Sequence, residues 1–263
     1  MPLPEQLHRF WIALDDLVAD VLPTTWGAVV TDARFPDVWD TNYARVDVAS
    51  AVSLARIEAD LLPALRRAGI EVEHVVSFHH EAHGDLLAEL SSRGHRISWD
   101  LAMVLDGPPG AAGAVTEGVV VEELHAGDEL WTAAAGSMRD VFAIEPAAAV
   151  EQLLTLERAV LAPAGKRWFA VRGEDGGPVS LGTLLVLDGT GYIDNVATDP
   201  AARGRGYAGA IVTRIGQETH RAHAAGPFLL SDPGSPATVR FYERLGFAAA
   251  GFLASTKGPT PAA

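Results

Sequence analysis

From residue 118 onward the apolar positions follow two rhythms. Alternating or continuous apolar runs at 118–124, 167–172, 180–187, 192–198, 228–231 and 249–254 predict strands, and 3.6-residue spacing over 128–142, 147–161, 208–224 and 237–245 predicts helices. Within the third helix, Ala208, Ile211, Val212 and Ile215 recur at i, i+3, i+4 and i+7, so one face is apolar. The turn sequences Gly173-Glu-Asp-Gly-Gly-Pro and Asp188-Gly-Thr-Gly separate consecutive strands, which predicts an antiparallel meander. The expected fold class is α/β, of the α+β kind with a mixed sheet.

Before residue 108 the same order recurs more faintly. A helix over 54–67 ends at Gly69, the run Val75-Val76-Ser77-Phe78 reads as a strand, and Leu90-x-x-x-Gly94-His95 leads into another apolar strand. These mirror the helix that ends at Gly226, the strand Phe228-Leu229-Leu230, and Tyr242-x-x-x-Gly246-Phe247. Asn42-Tyr43-Ala44 similarly mirrors Asn195-Val196-Ala197. The stretch Gly107-Pro-Pro-Gly-Ala-Ala-Gly-Ala is linker chemistry and divides the chain into domains over 1–108 and 118–263 joined by 109–117. The first domain is either a degenerate copy of the second or an unrelated small α/β domain.

Between the strand at 192–198 and the helix at 208–224 lies Asp199-Pro-Ala-Ala-Arg203-Gly204-Arg205-Gly206-Tyr207-Ala208. Two glycines let a ligand approach the backbone, and a helix start offers unpaired N–H groups with the positive end of its dipole. This is the architecture of an anion site. No Lys follows Gly206, which excludes a P-loop. Gly204-Arg205-Gly206-Tyr207-Ala208-Gly209 matches the dinucleotide fingerprint only formally, since too little chain follows for a doubly wound sheet.

Arg203-x-x-Gly206-x-Ala208 resembles motif A of the GNAT superfamily of acyl-CoA-dependent N-acyltransferases. The later run Ser235-Pro-Ala-Thr238-Val-Arg-Phe241-Tyr242-Glu-Arg-Leu-Gly246-Phe247 resembles its motif B, with Ser235 and Thr238 departing from the usual Asn and Ala. The resemblance implies a GNAT-like fold over 118–263, a degenerate partial GNAT-like domain over 1–108, and acetyl transfer from acetyl-CoA, as co-substrate, directly to the primary amine of a small molecule. It implies that Val196, Ala197 and Thr198 pair with the pantetheine arm, and that Arg203, Gly204, Arg205, Gly206, Tyr207 and Ala208 hold the phosphates. Ser235 would reach the same cofactor. Tyr242 would protonate the departing thiolate, and Asp194, on the strand before motif A, would serve as base. An acyl-CoA-binding regulatory module without catalysis is the alternative of a different class.

Composition narrows the field further. The 263 residues contain no Cys, so disulfides, thiolate metal sites and a cysteine nucleophile are excluded and a cytoplasmic setting is expected. No apolar run approaches a membrane span. A net charge of −14 argues against general nucleic-acid binding and is compatible with cationic partners. Residues 1–108 hold 17 acidic and 8 basic residues and the remainder 17 and 12, so the half with the anion turn is the less acidic. His79-His80-Glu81-Ala82-His83 lacks the His-Glu-x-x-His order, so a polar cluster at a helix start is expected and no metal site is assigned. The six Trp follow no interval and are read as core. Nothing in the sequence names the acceptor or the oligomeric state.

Overall fold

The computed structural model describes residues 4–71, 73–107 and 118–258. The expected linker over 109–117 lies outside them. In chain order the elements are α1 (Glu5–Val18), β1 (Asp20–Pro23), β2 (Gly27–Thr31), β3 (Tyr43–Val46), α2 (Leu54–Ala68), β4 (His74–Ser77), α3 (Gly84–Ser92) and β5 (Arg96–Leu105). There follow β6 (Glu122–Leu124), α4 (Asp128–Asp140), α5 (Ala147–Leu156), β7 (Arg167–Arg172), β8 (Pro178–Leu187), β9 (Thr190–Thr198), α6 (Tyr207–Arg221), β10 (Ala225–Ser231), α7 (Pro236–Arg244) and β11 (Phe247–Lys257).

Two compact units emerge. One comprises residues 1–102, 232–234 and 250–263, the other 103–231 and 235–249, so β11 enters the first unit at residue 250. In the first unit the strand order is β1-β2-β3-β4-β11-β5. β3 and β4 run parallel across the α2 crossover, and Ala254–Lys257 of β11 pair antiparallel with β4. Its core gathers Trp26 from the bend before β2, Val29 and Val46 from the strands, and Leu54, Ile57 and Leu61 from α2. Those α2 positions follow the helical repeat, which explains why the segment is helical despite Pro63.

A charged network is buried in this unit. Asp15 accepts hydrogen bonds from the Tyr43 hydroxyl at 2.6 Å and from the Arg45 guanidinium, which also contacts Asp47 at 3.1 Å. Burial pushes the Asp15 carboxyl up to about 6 against the opposing pull of Tyr43 and Arg45. Removing one partner strands the others without water, at a cost of about 3–5 kcal/mol. Asp15→Ala is therefore expected to lower the thermal unfolding midpoint sharply, and an unchanged melting curve would refute the role of the network.

The second unit orders its strands β10-β9-β8-β7-β6. β6, β7, β8 and β9 form the expected antiparallel meander, and β10 joins β9 in parallel after the α6 crossover. Helix α6 lies tightly on the sheet because Gly182 carries no side chain: a Cβ there would stand 2.6 Å from Ile211 Cγ2. Trp131, Met138, Leu154 and Trp168 fill a core against Leu181. Trp26 and Trp168 are buried as expected, whereas Trp39 and Trp99 are exposed, at 40% and 39%.

Candidate active site

Strand β9 carries the first departure from regular geometry. Thr183 faces Asp194 and Leu181 faces Ala197, so one extra residue is accommodated on β9, and Asn195 adopts φ 52°. That is a β-bulge, which re-aims the strand and leaves ladder groups unpaired. On its other side β9 pairs with β10 at Thr190 and Tyr192, with no further pairing toward Thr198. Among the described residues the two strands part there.

Beyond β9, Asp199 accepts a hydrogen bond from the Ala201 N–H at 2.8 Å and opens a short 3₁₀ turn. Gly204 and Gly206 then take φ values of 78° and 79°, and α6 begins at Gly206 with no side-chain cap. The first-turn N–H groups are thus left unpaired by the helix. The contrast with α2 is informative, because Ser53 caps that helix by accepting from the Arg56 N–H at 3.4 Å. In the first unit the corresponding start thus has one first-turn N–H taken up by a side-chain cap, which α6 lacks.

The turn borders an open cleft of about 810 Å³. Of the residues expected at the cofactor, Val196, Thr198, Arg203, Gly204, Arg205, Gly206, Tyr207 and Ala208 line it. Ala197 and Ser235 do not: Ala197 borders a separate pocket of about 160 Å³, and the Ser235 hydroxyl is hydrogen bonded to Thr238 Oγ1 at 2.8 Å. Arg203 Nε donates to the Thr198 carbonyl at 3.3 Å, and Arg205 lies 3.6 Å from Glu174, both exposed. Arg244 and Phe241 also border the cleft, unanticipated from sequence. Arg244 precedes a Leu-Gly-Phe run in an exposed helix turn, and nothing in its spacing distinguishes it from a solvated charge.

Tyr242 is 7% exposed, packed edge-on against Phe241 and Phe247 at 5.0 and 5.8 Å. Its hydroxyl has no hydrogen-bond partner among the described residues. Burial and the nearby Asp194 carboxylate push the phenol up to about 12, so it is a neutral donor at any ordinary pH. Asp194 itself is not isolated. Lys166 Nζ donates to it at 3.1 Å and to Glu157 Oε1 at 2.6 Å, and Asn195 Nδ2 donates to Asp194 at 3.2 Å and to Glu157 at 3.4 Å. Sequence reasoning missed Glu157 and Lys166. Glu157 sits where the expected helix over 147–161 widens into a π turn at Glu157–Leu161, a distortion frequent at functional sites.

The histidine cluster resolves differently. His83 is buried; its Nε2 donates to the Ser50 carbonyl at 3.2 Å, which leaves Nδ1 to accept from the Ser77 hydroxyl at 2.6 Å. Among the described residues no group of three His, Cys, Asp or Glu is arranged to hold a metal ion, and no helix is long and apolar enough to cross a membrane.

A parted strand pair followed by an uncapped helix start frames the cleft. Residues 165–249 match the family model of the acetyltransferase (GNAT) domain. The fold is shared with solved structures. A GCN5-related N-acetyltransferase from Kribbella flavida superposes with a TM-score of 0.64 at 19% identity, covering 96% of this chain and 95% of that one. A functionally unknown conserved protein from Staphylococcus epidermidis gives 0.69 at 12% identity, covering 92% and 94%. A GCN5-related N-acetyltransferase from Sphaerobacter thermophilus gives 0.55 at 22% identity, covering 76% and 64%. No curated protein matches the sequence.

Proposed function

We propose that the protein is an N-acetyltransferase that moves the acetyl group of acetyl-CoA directly onto the primary amine of a small molecule. The observation that carries this reading is the uncapped α6 start opening on a cleft of about 810 Å³, with Tyr242 on the following helix holding a free hydroxyl. In this reading the first-turn N–H groups and Arg203 hold the diphosphate, whose negative charge the helix dipole favours. Val196 and Thr198 pair with the pantetheine arm as an added strand. N–H groups freed by the bulge polarise the thioester carbonyl. As the amine nitrogen bonds to that carbon, the carbon–sulfur bond breaks and Tyr242 donates its proton toward the thiolate. With no Cys in the chain, direct transfer needs no covalent enzyme intermediate.

The first unit is proposed to be a degenerate copy. Its succession β2-β3-α2-β4-α3-β5 parallels β8-β9-α6-β10-α7-β11, and in both the pair flanking the long helix is parallel. In that copy Ser53 takes up one of the N–H groups that the α6 start leaves without a side-chain cap.

The test is release of CoA thiol from acetyl-CoA in the presence of a panel of primary amines. Acceptor-dependent release is expected. Tight acetyl-CoA binding with no thiol release from any amine would favour a regulatory module instead.

A further inference from the structure

We propose that the Glu157–Lys166–Asp194 chain is the acceptor end of this site: it takes up the acceptor as an ammonium ion and receives the proton that the amine must lose. This rests on the acetyltransferase reading and adds to it the charge class of the substrate and the identity of the proton-accepting group.

The geometry carries the inference. One lysine is shared by two carboxylates, so with all three ionised the cluster bears one negative charge in excess. Glu157 and Lys166 side chains are only 6% and 3% exposed, while Asp194 is 37% exposed and forms the open side. Glu157 Oε1 is engaged by Lys166 and Asn195, yet Oε2 is buried without a hydrogen-bond partner among the described residues. A carboxylate oxygen left bare in the interior is destabilising, and a donor entering from the Asp194 side would relieve it. A structural ion pair would match one carboxylate to one lysine and leave no such orphan. The location fits as well. Asp194 and Asn195 immediately precede Val196 of the cofactor cleft, and Asp194 is close enough to Tyr242 to disfavour its ionised form. The charged and titratable groups facing Glu157 are Lys166 and Asp194, and those facing Asp194 are Lys166, Glu157 and Tyr242. Burial holds the Glu157 carboxyl above its ordinary range, which suits a group that accepts a proton.

The balance of the step is closed. The ammonium gives one proton to the cluster, and the neutral amine attacks the thioester carbon. The nitrogen loses a second proton as the amide forms; Tyr242 gives its own proton to the thiolate and is restored by that second one, while the cluster returns the first to solvent. Amide, CoA thiol and one proton to solvent result. Lys166 touches no reacting atom and is a positioning residue; Glu157 and Asp194 are the acceptors of the proton.

The test compares the full-length wild type with Glu157→Gln, Lys166→Met and Lys166→Arg, reading kcat/KM for a reactive amine against pH together with acetyl-CoA affinity. Glu157→Gln should lower kcat/KM by about tenfold or more. It should also move the acidic limb to lower pH, because the carboxyl that burial holds above its ordinary range is gone, and should leave acetyl-CoA affinity unchanged. Lys166→Met should move the limb the opposite way, and Lys166→Arg should restore it. A limb that stays in place in Glu157→Gln, with activity lost only in proportion to folded protein, overturns the proposal. If the wild type acetylates no amine, calorimetry with n-butylamine and n-butanol in the presence of CoA separates the two readings. Butylamine binding abolished by Glu157→Gln upholds the cluster while the transferase reading fails, and no preference for the amine overturns the cluster.

Discussion

Gly206→Val is expected to weaken acetyl-CoA binding by about a hundredfold or more. Gly206 stands at φ 79°, a left-handed conformation that costs an L-residue about 1–2 kcal/mol and more for a β-branched side chain. Relief of that strain turns the first N–H groups of α6 away from their common target, and the new methyl groups stand over the turn. Since the proposed phosphate site consists mainly of main-chain hydrogens, both effects fall on the cofactor. Titration calorimetry with acetyl-CoA checks it, with the melting curve measured alongside to separate lost affinity from lost fold. Gly204 provides an internal comparison. A Cβ there meets nothing within 4 Å, so Gly204→Ala carries backbone strain without a clash, and any excess loss of affinity reports contact with the ligand itself. Unchanged affinity in Gly206→Val would remove the turn from the cofactor site.

Tyr242→Phe is expected to lower kcat by about 10²-fold while altering acetyl-CoA affinity far less, the signature of an interaction made mainly in the transition state. The fold should tolerate the change, because the ring keeps its packing on Phe241 and Phe247 and the hydroxyl has no protein partner to strand. The sign of the pH effect follows from the raised phenol. A donor pushed up to about 12 keeps its proton across the assay range, so no alkaline fall in rate from this group is expected below that value. A thiol near 8.5 is the stronger acid, so the proton moves only as the carbon–sulfur bond opens and charge builds on sulfur. A Tyr242→Phe enzyme with unaltered kcat would leave the departing thiolate to solvent.

Much of the second unit was legible in the chain. The helix expected over 208–224 forms as Tyr207–Arg221 and the strand over 192–198 as Thr190–Thr198, because one apolar face and turn glycines at either end act within a few residues. The strand expected over 118–124 forms only at Glu122–Leu124, where β7 supplies its partner. The helix over 147–161 stops being α-helical at Leu156, where Glu157 turns inward to Lys166. Glu157 and Lys166 read as ordinary charges on a helix and at a strand edge. Lys166 pairs with Glu157 9 positions away and with Asp194 28 positions away, which no local periodicity encodes. Ser235 shows the converse: it holds its place in the motif, but its hydroxyl turns to Thr238.

The sequence by itself determined the meander, the glycine turn, the helix behind it and the position of Tyr242 in the last helix, since each depends on residue type and short-range spacing. Tertiary structure alone decided that the last strand completes the first unit beside β4, that β9 bulges at Asn195, and that two carboxylates share one buried lysine. Strand partners and buried charges are chosen by which distant surfaces exclude water together, and that choice exists only once the chain has closed.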